Sequence, residues 1–224
     1  MTKVNGILFP GGNGDYLETG DHVFKSAITE NDAGNFYPIW GTCLGFENLA
    51  IFASDSGSPL SYLESTNQSL LLDFLVDPTT TKMFADLADP EYFHEEAMTY
   101  NHHSFGLALE EFTTDAGLGG MFTATSLSTD VITGDTFVAT FESPKYPFFG
   151  TMFHPEKVLT MYNEEHVNHS WASVHYSRYF ADRFIELARE NTNTCGDFEA
   201  CQALLIDNYE IIVTDTYYGN VYAF

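Results

Sequence analysis

The segment PIWGTCLGFE at residues 38–47 constrains the fold more than any other part of the sequence, because its character changes within a few residues. An apolar run ends at Trp40, and a cysteine, Cys43, then stands between Gly41 and Gly45. After Cys43, apolar residues return at helical spacing as far as Phe52. The pattern predicts a strand at 37–40, a sharp turn that the glycines permit, and a helix at 44–52, with the thiol at the carboxyl end of the strand.

The rest of the chain shows the same alternation of strands and helices. Short apolar runs predict strands at 4–9, 69–74, 136–141 and 147–153, and the last two form a hairpin. Helical spacing predicts helices at 21–29, 82–87 and 172–189, the last with Ser170 as its N-cap. The tail at 210–222 is β-rich, and its place in the fold stays open. Alternating strands and helices predict an α/β fold with a largely parallel sheet, whose sites gather at the carboxyl ends of the strands.

Length and charge limit the class of protein. The chain has 224 residues, of which 44% are hydrophobic, so it can bury a core, and we expect one domain over residues 1–224. Its 32 acidic and 8 basic side chains give a net charge of −24, which repels the phosphates of nucleic acids and of anionic membranes. No apolar run approaches the ~20 residues of a membrane span. We therefore expect neither a nucleic-acid partner nor a membrane partner.

The cysteines and two glycosylation sequons bear on the compartment. Cys195 and Cys201 are close enough in sequence for a short-loop disulfide, which would leave Cys43 as the odd cysteine. Sequons begin at Asn67 and Asn168, and they point weakly to the secretory route and to a glycoprotein. No secretory signal opens the sequence.

The chemistry of the turn at Cys43 is that of a nucleophile. Flanking glycines expose the thiol, and the positive end of the following helix favours a thiolate. The alternative is a buried cysteine that packs as a small hydrophobe. A thiol nucleophile needs a base, and His154 follows another predicted strand, with Glu156 placed across Pro155 to hold the imidazole. For His154 the alternative is a surface histidine at the start of a helix.

A third group of polar residues could bind a metal, but its spacing matches no strong zinc pattern. We expect these residues to lie on a solvated approach to the last helix, and they are Glu165, His166, His169 and His175.

Four motifs carry a resemblance to a known family, and they are FPGG at 9–12, WGTCLGFE at 40–47, NHHSF at 101–105 and FHPEK at 153–157. In this order they resemble the class I glutamine amidotransferase superfamily, and within it the γ-glutamyl hydrolase (folylpolyglutamate hydrolase) family. The resemblance implies a flavodoxin-like three-layer sandwich with a mostly parallel central sheet. It also implies that the family's first strand and helix are lacking here, so that the chain is N-terminally truncated relative to the family.

The resemblance further implies a cysteine hydrolase that cleaves γ-glutamyl bonds of folylpoly-γ-glutamates through a thioester. Its catalytic triad would be Cys43, His154 and Glu156. Backbone N–H groups would stabilise the oxyanion, and a histidine of the NHHSF motif would handle substrate or take part in catalysis. These further site residues are Gly11, Gly12, Leu44 and His103.

The family's properties also give expectations about partners and location. They are a small-molecule substrate, no metal or organic cofactor, a homodimer as one allowed state, and a lysosomal, vacuolar or extracellular protein. Lys145 and Lys157 lie nearest in sequence to the site and are candidates to bind a polyanionic substrate. Two alternatives remain, which are another amidase of the glutamine amidotransferase type and an inactive fragment or binding protein of the same fold.

Overall fold

The computed structural model describes residues 1–213 and 221–223. Its strands are β1 (Ile7–Phe9), β2 (Ile39–Thr42), β3 (Ser61–Leu70), β4 (Asp73–Phe74), β5 (Thr99–Gly106), β6 (Thr123–Thr129), β7 (Thr136–Glu142), β8 (Phe148–Thr151), β9 (Glu210–Ile212) and β10 (Val221–Ala223). Its helices are α1 (Leu17–Asp32), α2 (Leu44–Ala53), α3 (Tyr92–Glu95), α4 (Leu109–Thr114), α5 (Ala116–Met121), α6 (Pro155–Thr160), α7 (Trp171–Arg189) and α8 (Phe198–Gln202).

A six-stranded sheet in the order β1-β2-β8-β7-β6-β4 forms the centre of the fold. The strands β1, β2 and β8 are parallel, and β8, β7, β6 and β4 continue the sheet in antiparallel pairs. Thr42 at the end of β2 pairs with Thr151 at the end of β8, so the carboxyl ends of these strands meet at one edge of the sheet. The predicted α/β fold with a central sheet is confirmed, as is the hairpin of β7 and β8.

Helices pack on both faces of the sheet because neighbouring residues of a strand point to opposite faces. Ile39 of β2 belongs to a core cluster with Phe24 of α1. The next residue, Trp40, belongs to a second cluster with Phe180 of α7, and their ring centroids are 6.0 Å apart. Each such fully buried side chain contributes about 1.5–3 kcal/mol to folding. The result is the expected three-layer sandwich, with α1 and α2 on one face and α7 on the other.

The helix that closes the second face begins where the sequence predicts. The hydroxyl of Ser170 accepts a hydrogen bond from the backbone N–H of Ser173 at 3.1 Å, which satisfies one of the free donors at the start of α7. The helix then runs from Trp171 to Arg189, close to the predicted range of 172–189. No helix within residues 1–213 and 221–223 is both long and apolar enough to cross a membrane.

Two local predictions were wrong. The strand predicted at 69–74 is split, since β3 ends at Leu70 and β4 begins at Asp73. The helix predicted at 82–87 is a series of turns, in which the Phe84 N–H donates to the Thr81 hydroxyl and the Leu87 N–H donates to the Phe84 carbonyl, both at 3.0 Å. The N–H groups of Lys82 and Met83 donate to the Glu142 carboxylate at 2.9 and 2.7 Å, which anchors this segment to β7.

The strands β3 and β5 form a separate antiparallel pair that the sequence did not indicate, except for the end of β3. Beyond α7, Cys195 and Cys201 form a disulfide, and β9 pairs with β10. The predicted β-rich tail at 210–222 is therefore present where the structure describes it, while its residues 214–220 lie outside the described residues.

Candidate active site

Cys43 lies in a tight turn between β2 and α2. Its backbone has φ +50° and ψ −108°, a conformation that costs about 1–3 kcal/mol for a residue other than glycine. Two hydrogen bonds hold it there, because the Cys43 N–H donates to the Thr151 carbonyl and the Glu47 N–H donates to the Cys43 carbonyl, both at 2.9 Å. The thiol thereby lies at the N-terminus of a ten-residue helix, where the helix dipole favours negative charge.

The glycines on either side of Cys43 let the strand, the turn and the helix approach closely. A Cβ atom on Gly41 would lie 2.5 Å from the carbonyl oxygen of Gly45. A Cβ atom on Gly45 would overlap the backbone carbonyl of Phe9 in β1. Both glycines are therefore required by contacts between backbones, which is the physical reason for the spacing Gly-Thr-Cys-Leu-Gly at residues 41–45.

His154 places an imidazole beside the thiol. It follows β8, its N–H donates to the Tyr100 carbonyl at 2.8 Å, and its Nδ1 hydrogen-bonds to Glu156 Oε1 at 2.7 Å. Burial opposes the charged imidazole, but hydrogen bonds with Cys43 and Glu156 outweigh burial and raise the pKa of His154 to about 9. The ring is therefore a cation at neutral pH, and because Glu156 occupies Nδ1, Nε2 is the nitrogen left for the thiol.

The loop after β1 borders the same space. A Cβ atom on Gly11 would lie 2.5 Å from His154 Cε1 and 3.3 Å from Cys43 Cβ, so only glycine fits between the thiol and the imidazole. Gly12 has φ +139°, which also favours glycine. Leu44 is the first residue of α2, so no helical carbonyl precedes it to accept its N–H.

A cavity of about 510 Å³ opens at the carboxyl ends of β2 and β8. The predicted triad, the glycines of the FPGG motif and His103 all line this cavity, and Leu44 is the residue after Cys43. The cavity is thus formed by segments that are distant in sequence. Its lining residues are Gly11, Gly12, Asn13, Cys43, Thr66, Tyr100, His102, His103, Ser104, His154, Glu156, Lys157, Met161 and Asn163.

The two histidines of β5 differ in their environment. His103 is buried with its ring edge-on to Phe137, at a centroid distance of 4.8 Å, and burial lowers its pKa to about 4. Its ring is therefore neutral at physiological pH. His102 is exposed, and partial burial and the neighbouring His154 lower its pKa.

Several residues in or beside the cavity lie outside the set predicted from the sequence. Tyr100 directly precedes the NHHSF motif, so its position on β5 was a usable signal. Thr66 lies on β3, whose pairing with β5 has no clear sequence signal. Behind the turn, Glu47 is largely buried, and burial raises its pKa to about 7. Tyr16 donates to the Pro10 carbonyl at 3.0 Å, and burial raises the pKa of Tyr16 to about 12.

The structure separates the two lysines proposed as substrate contacts. Lys157 lines the cavity. Lys145 precedes β8, whereas Cys43 and His154 lie at the other end of that strand. Its ammonium contacts Asp32 Oδ1 at 2.7 Å, so the prediction that Lys145 lies at the site was wrong.

Other polar residues noted in the sequence have structural partners. Both ring nitrogens of His169 lie 2.9 Å from backbone carbonyls, those of Val158 and Met161. Within the described part of the chain, no three potential ligands converge on a metal position. The Asn168 amide of one sequon donates to the Ala97 carbonyl at 2.8 Å and to Glu96 Oε1 at 3.2 Å, and a glycan there would remove one of these two hydrogen bonds.

Comparison with known proteins gives several relatives along nearly the whole chain. The γ-glutamyl hydrolase of Mus musculus is 30% identical over 233 residues, which cover 99% of this chain and 70% of the relative. The γ-glutamyl hydrolase of Homo sapiens is 29% identical over 231 residues with the same coverage. γ-Glutamyl hydrolase B of Dictyostelium discoideum is 27% identical over 239 residues, which cover 99% of this chain and 67% of the relative. No protein-family profile matches the chain.

Solved structures with a similar fold are more distant in sequence. The glutaminase domain of CTPS from Trypanosoma brucei superposes with a TM-score of 0.53 at 14% identity, over 86% of this chain and 75% of that chain. A glutamine amidotransferase from Thermotoga maritima gives a TM-score of 0.50 at 12% identity, over 82% of this chain and 78% of that chain.

The sheet and its cavity place the molecule among the class I glutamine amidotransferase-like folds. The mouse relative is 30% identical to this chain over 99% of its residues, which narrows the class to one family. The chain belongs to the γ-glutamyl hydrolase family. The resemblance inferred from the four motifs is confirmed, and with it the expectation of a hydrolase.

Proposed function

We propose that the chain is a thiol hydrolase that cleaves the γ-glutamyl amide bonds of folylpoly-γ-glutamates. The observation that carries the proposal is the position of Cys43, strained at an elbow, lining a cavity with the hydrogen-bonded pair His154 and Glu156. The relatives named γ-glutamyl hydrolase support the choice of bond, and the cavity of about 510 Å³ is large enough for a glutamyl residue and part of its neighbours.

The first half of the reaction forms a thioester. The thiolate of Cys43 attacks the γ-carbonyl carbon, a carbon–sulfur bond forms, and the carbonyl electrons move to the oxygen. The proton held on Nε2 of His154 then passes to the amide nitrogen, the carbon–nitrogen bond breaks, and the amine leaves. Glu156 accepts from Nδ1 throughout, which fixes the orientation of the ring.

The second half returns the enzyme to its starting state. A water molecule attacks the thioester carbonyl while neutral His154 takes a proton from it, and the carbon–sulfur bond breaks to release the carboxylate product and the thiolate. In both halves the N–H groups of Leu44 and Gly12 stabilise the negative oxygen. Neutral His103 handles the substrate by shaping the cavity wall, where its ring packs edge-on against Phe137. Protein groups and water account for every proton, so the sequence of steps requires no metal and no organic cofactor.

We also propose an oxidising location, such as a lysosome, a vacuole or the outside of the cell. The disulfide between Cys195 and Cys201 supports this, because such bonds persist in oxidising compartments. A mildly acidic lumen would protonate part of the excess carboxylates and reduce their repulsion of an anionic substrate.

The test is hydrolysis of a folyl-pentaglutamate at mildly acidic pH, with products resolved by chain length. Unmodified protein is compared with Cys43→Ala, and circular dichroism shows that both are folded. Shortened folates from the unmodified protein alone support the proposal. Equal activity in Cys43→Ala rules out Cys43 as the nucleophile, and a folded but inactive unmodified protein redirects the search to other γ-glutamyl amides or to a binding role.

A further inference from the structure

Basic side chains are scarce in this chain, with 8 lysines and arginines against 32 acidic side chains. Most of the basic side chains contact a carboxylate or backbone carbonyls. Arg183 contacts Asp86, and Lys25 and Arg178 contact aspartates one turn away on their helices. Lys82 donates to two backbone carbonyls, at 2.9 Å each, and Lys145 contacts Asp32. A cation that lines a cavity without an acidic partner is therefore unusual here.

Lys157 is such a cation. It is half-buried in the first turns of α6, it lines the cavity of the candidate site, and its ammonium makes no ion pair or hydrogen bond with any residue of 1–213 or 221–223. Its backbone N–H donates to the His154 carbonyl at 3.3 Å, which ties its position to that of the catalytic imidazole.

Lys157 is the one lysine or arginine among the described residues that line the cavity. His154 and Glu156 compensate each other as an ion pair at 2.7 Å. His102 is an exposed, ionisable neighbour of Lys157, and Glu164 lies near enough to influence His102. Lys157 is therefore the permanent cation of the cavity lining, in a protein whose net charge of −24 otherwise repels anions.

Another cluster of cations is less suited to an anion. Lys82, Lys145 and Arg183 line a cleft of about 430 Å³ at the opposite end of β8. Each of them already contacts a carboxylate or backbone carbonyls, so a ligand would have to displace those contacts.

We propose that Lys157 binds the α-carboxylate of the glutamate residue on the leaving side of the scissile bond and so determines specificity for a carboxylate there. The inference rests on the proposed function. His154 must face the leaving nitrogen, the α-carboxylate is two bonds from that nitrogen, and Lys157 follows His154 on the same segment. A charge-assisted hydrogen bond of this kind explains how a strongly acidic protein holds a polyanionic substrate.

Binding is measured first, without turnover, in the Cys43→Ala protein by calorimetry. The probes are the dipeptide γ-glutamyl-glutamate and the same dipeptide with both carboxylates of its second residue converted to amides. We expect the free acid to bind about 10- to 100-fold more tightly than the diamide, as for a hydrogen bond to a charged group. Adding Lys157→Met should remove this preference, and Lys157→Arg should retain most of it.

Lys25→Met is the matched control, since it removes the same charge from a surface lysine on α1 and should leave the preference intact. Equal affinity for acid and diamide with Lys157 present overturns the inference, and so does an equal loss in Lys25→Met. The acid–diamide comparison needs no change at Lys157, so it is decisive even if Lys157→Met does not fold.

Turnover separates this inference from the proposed function. In the catalytically intact protein, Lys157→Met should raise KM for the free acid about 10- to 100-fold, with a much smaller change in kcat. If the dipeptides are hydrolysed without an acid preference, the proposed function stands and the role of Lys157 is refuted. If neither is hydrolysed but the binding preference depends on Lys157, the carboxylate subsite stands and the proposed function fails.

Discussion

Replacing Glu156 by glutamine tests how the site holds a proton on His154. The pKa of His154 is raised from 6.5 to about 9, which corresponds to about 3 kcal/mol in favour of the imidazolium. Burial opposes this cation, so Cys43 and Glu156 supply the preference. Glu156 is 50% exposed, and after allowance for solvent screening we assign it about 1.5 kcal/mol, or about one pH unit.

The assay is the pH dependence of kcat/KM for γ-glutamyl-glutamate from about pH 5 to about pH 10, together with an NMR titration of the His154 ring. In the proposed mechanism His154 gives a proton to the leaving amine, and this proton is lost above the pKa of His154, so activity should decline on the alkaline side near pH 9. In Glu156→Gln this decline should move to about pH 8, because the glutamine keeps a hydrogen-bond acceptor but removes the charge.

The matched control is Glu165→Gln, the same change at an exposed carboxylate that does not line the cavity. Its alkaline decline should stay near that of the unmodified protein. The reasoning is refuted if Glu156→Gln leaves the alkaline decline and the NMR titration unchanged, or if Glu165→Gln moves them as far.

Two further predictions concern stability and geometry. Burial raises the pKa of Glu47 from 4.5 to about 7, so the folded protein holds this proton more tightly than the unfolded chain. The free energy of unfolding should therefore fall by up to about 3 kcal/mol as the pH rises from about 4.5 to about 7. Glu47→Gln should remove that part of the pH dependence in urea denaturation, and an unchanged slope would contradict it. Gly11→Ala should lower kcat at least about 100-fold by displacing His154, whereas Gly119→Ala, with no atom within 4 Å of the added Cβ, should retain full activity. Comparable activity in both alanine variants would show that the space beside His154 is not required.

The sequence predicts the elements around the thiol because their causes are local. The strand β2 is a buried apolar run, and α2 follows with helical spacing directly after the turn. Gly41 and Gly45 mark the close approach of backbones, and Ser170 marks the start of α7. In each case the residues that form the element also carry its signal, so no knowledge of distant contacts is needed.

The wall of the cavity depends on contacts that the sequence does not display. β3 alternates exposed, half-buried and buried positions, and irregularities in its register with β5 at Tyr62 and Thr66 disturb a simple period. The segment at 82–87 has helical spacing but forms turns, and the carboxylate of Glu142 in β7 anchors its first two N–H groups. Both segments are held by residues about 30 to 60 positions away in the chain.

Strand direction explains why one lysine was predicted correctly to lie at the cavity and the other was not. Lys145 and Lys157 both lie within ten residues of His154 in sequence, but β8 runs between Lys145 and the site. The first and last Cα atoms of a four-residue strand lie about 10 Å apart, so nearness in sequence does not give nearness in space. The direction of β8 relative to Cys43 becomes visible only with the sheet register.

The most direct test of the proposed mechanism is to trap its covalent intermediate. Turnover of folyl-pentaglutamate is stopped in acid within the first catalytic cycles, and the protein is examined by intact mass and by peptide mapping. The mechanism predicts a thioester-linked folyl or glutamyl group on Cys43, released by hydroxylamine and absent from Cys43→Ser. Rapid product formation by a Cys43→Ser protein, or an adduct on a residue other than Cys43, would contradict it.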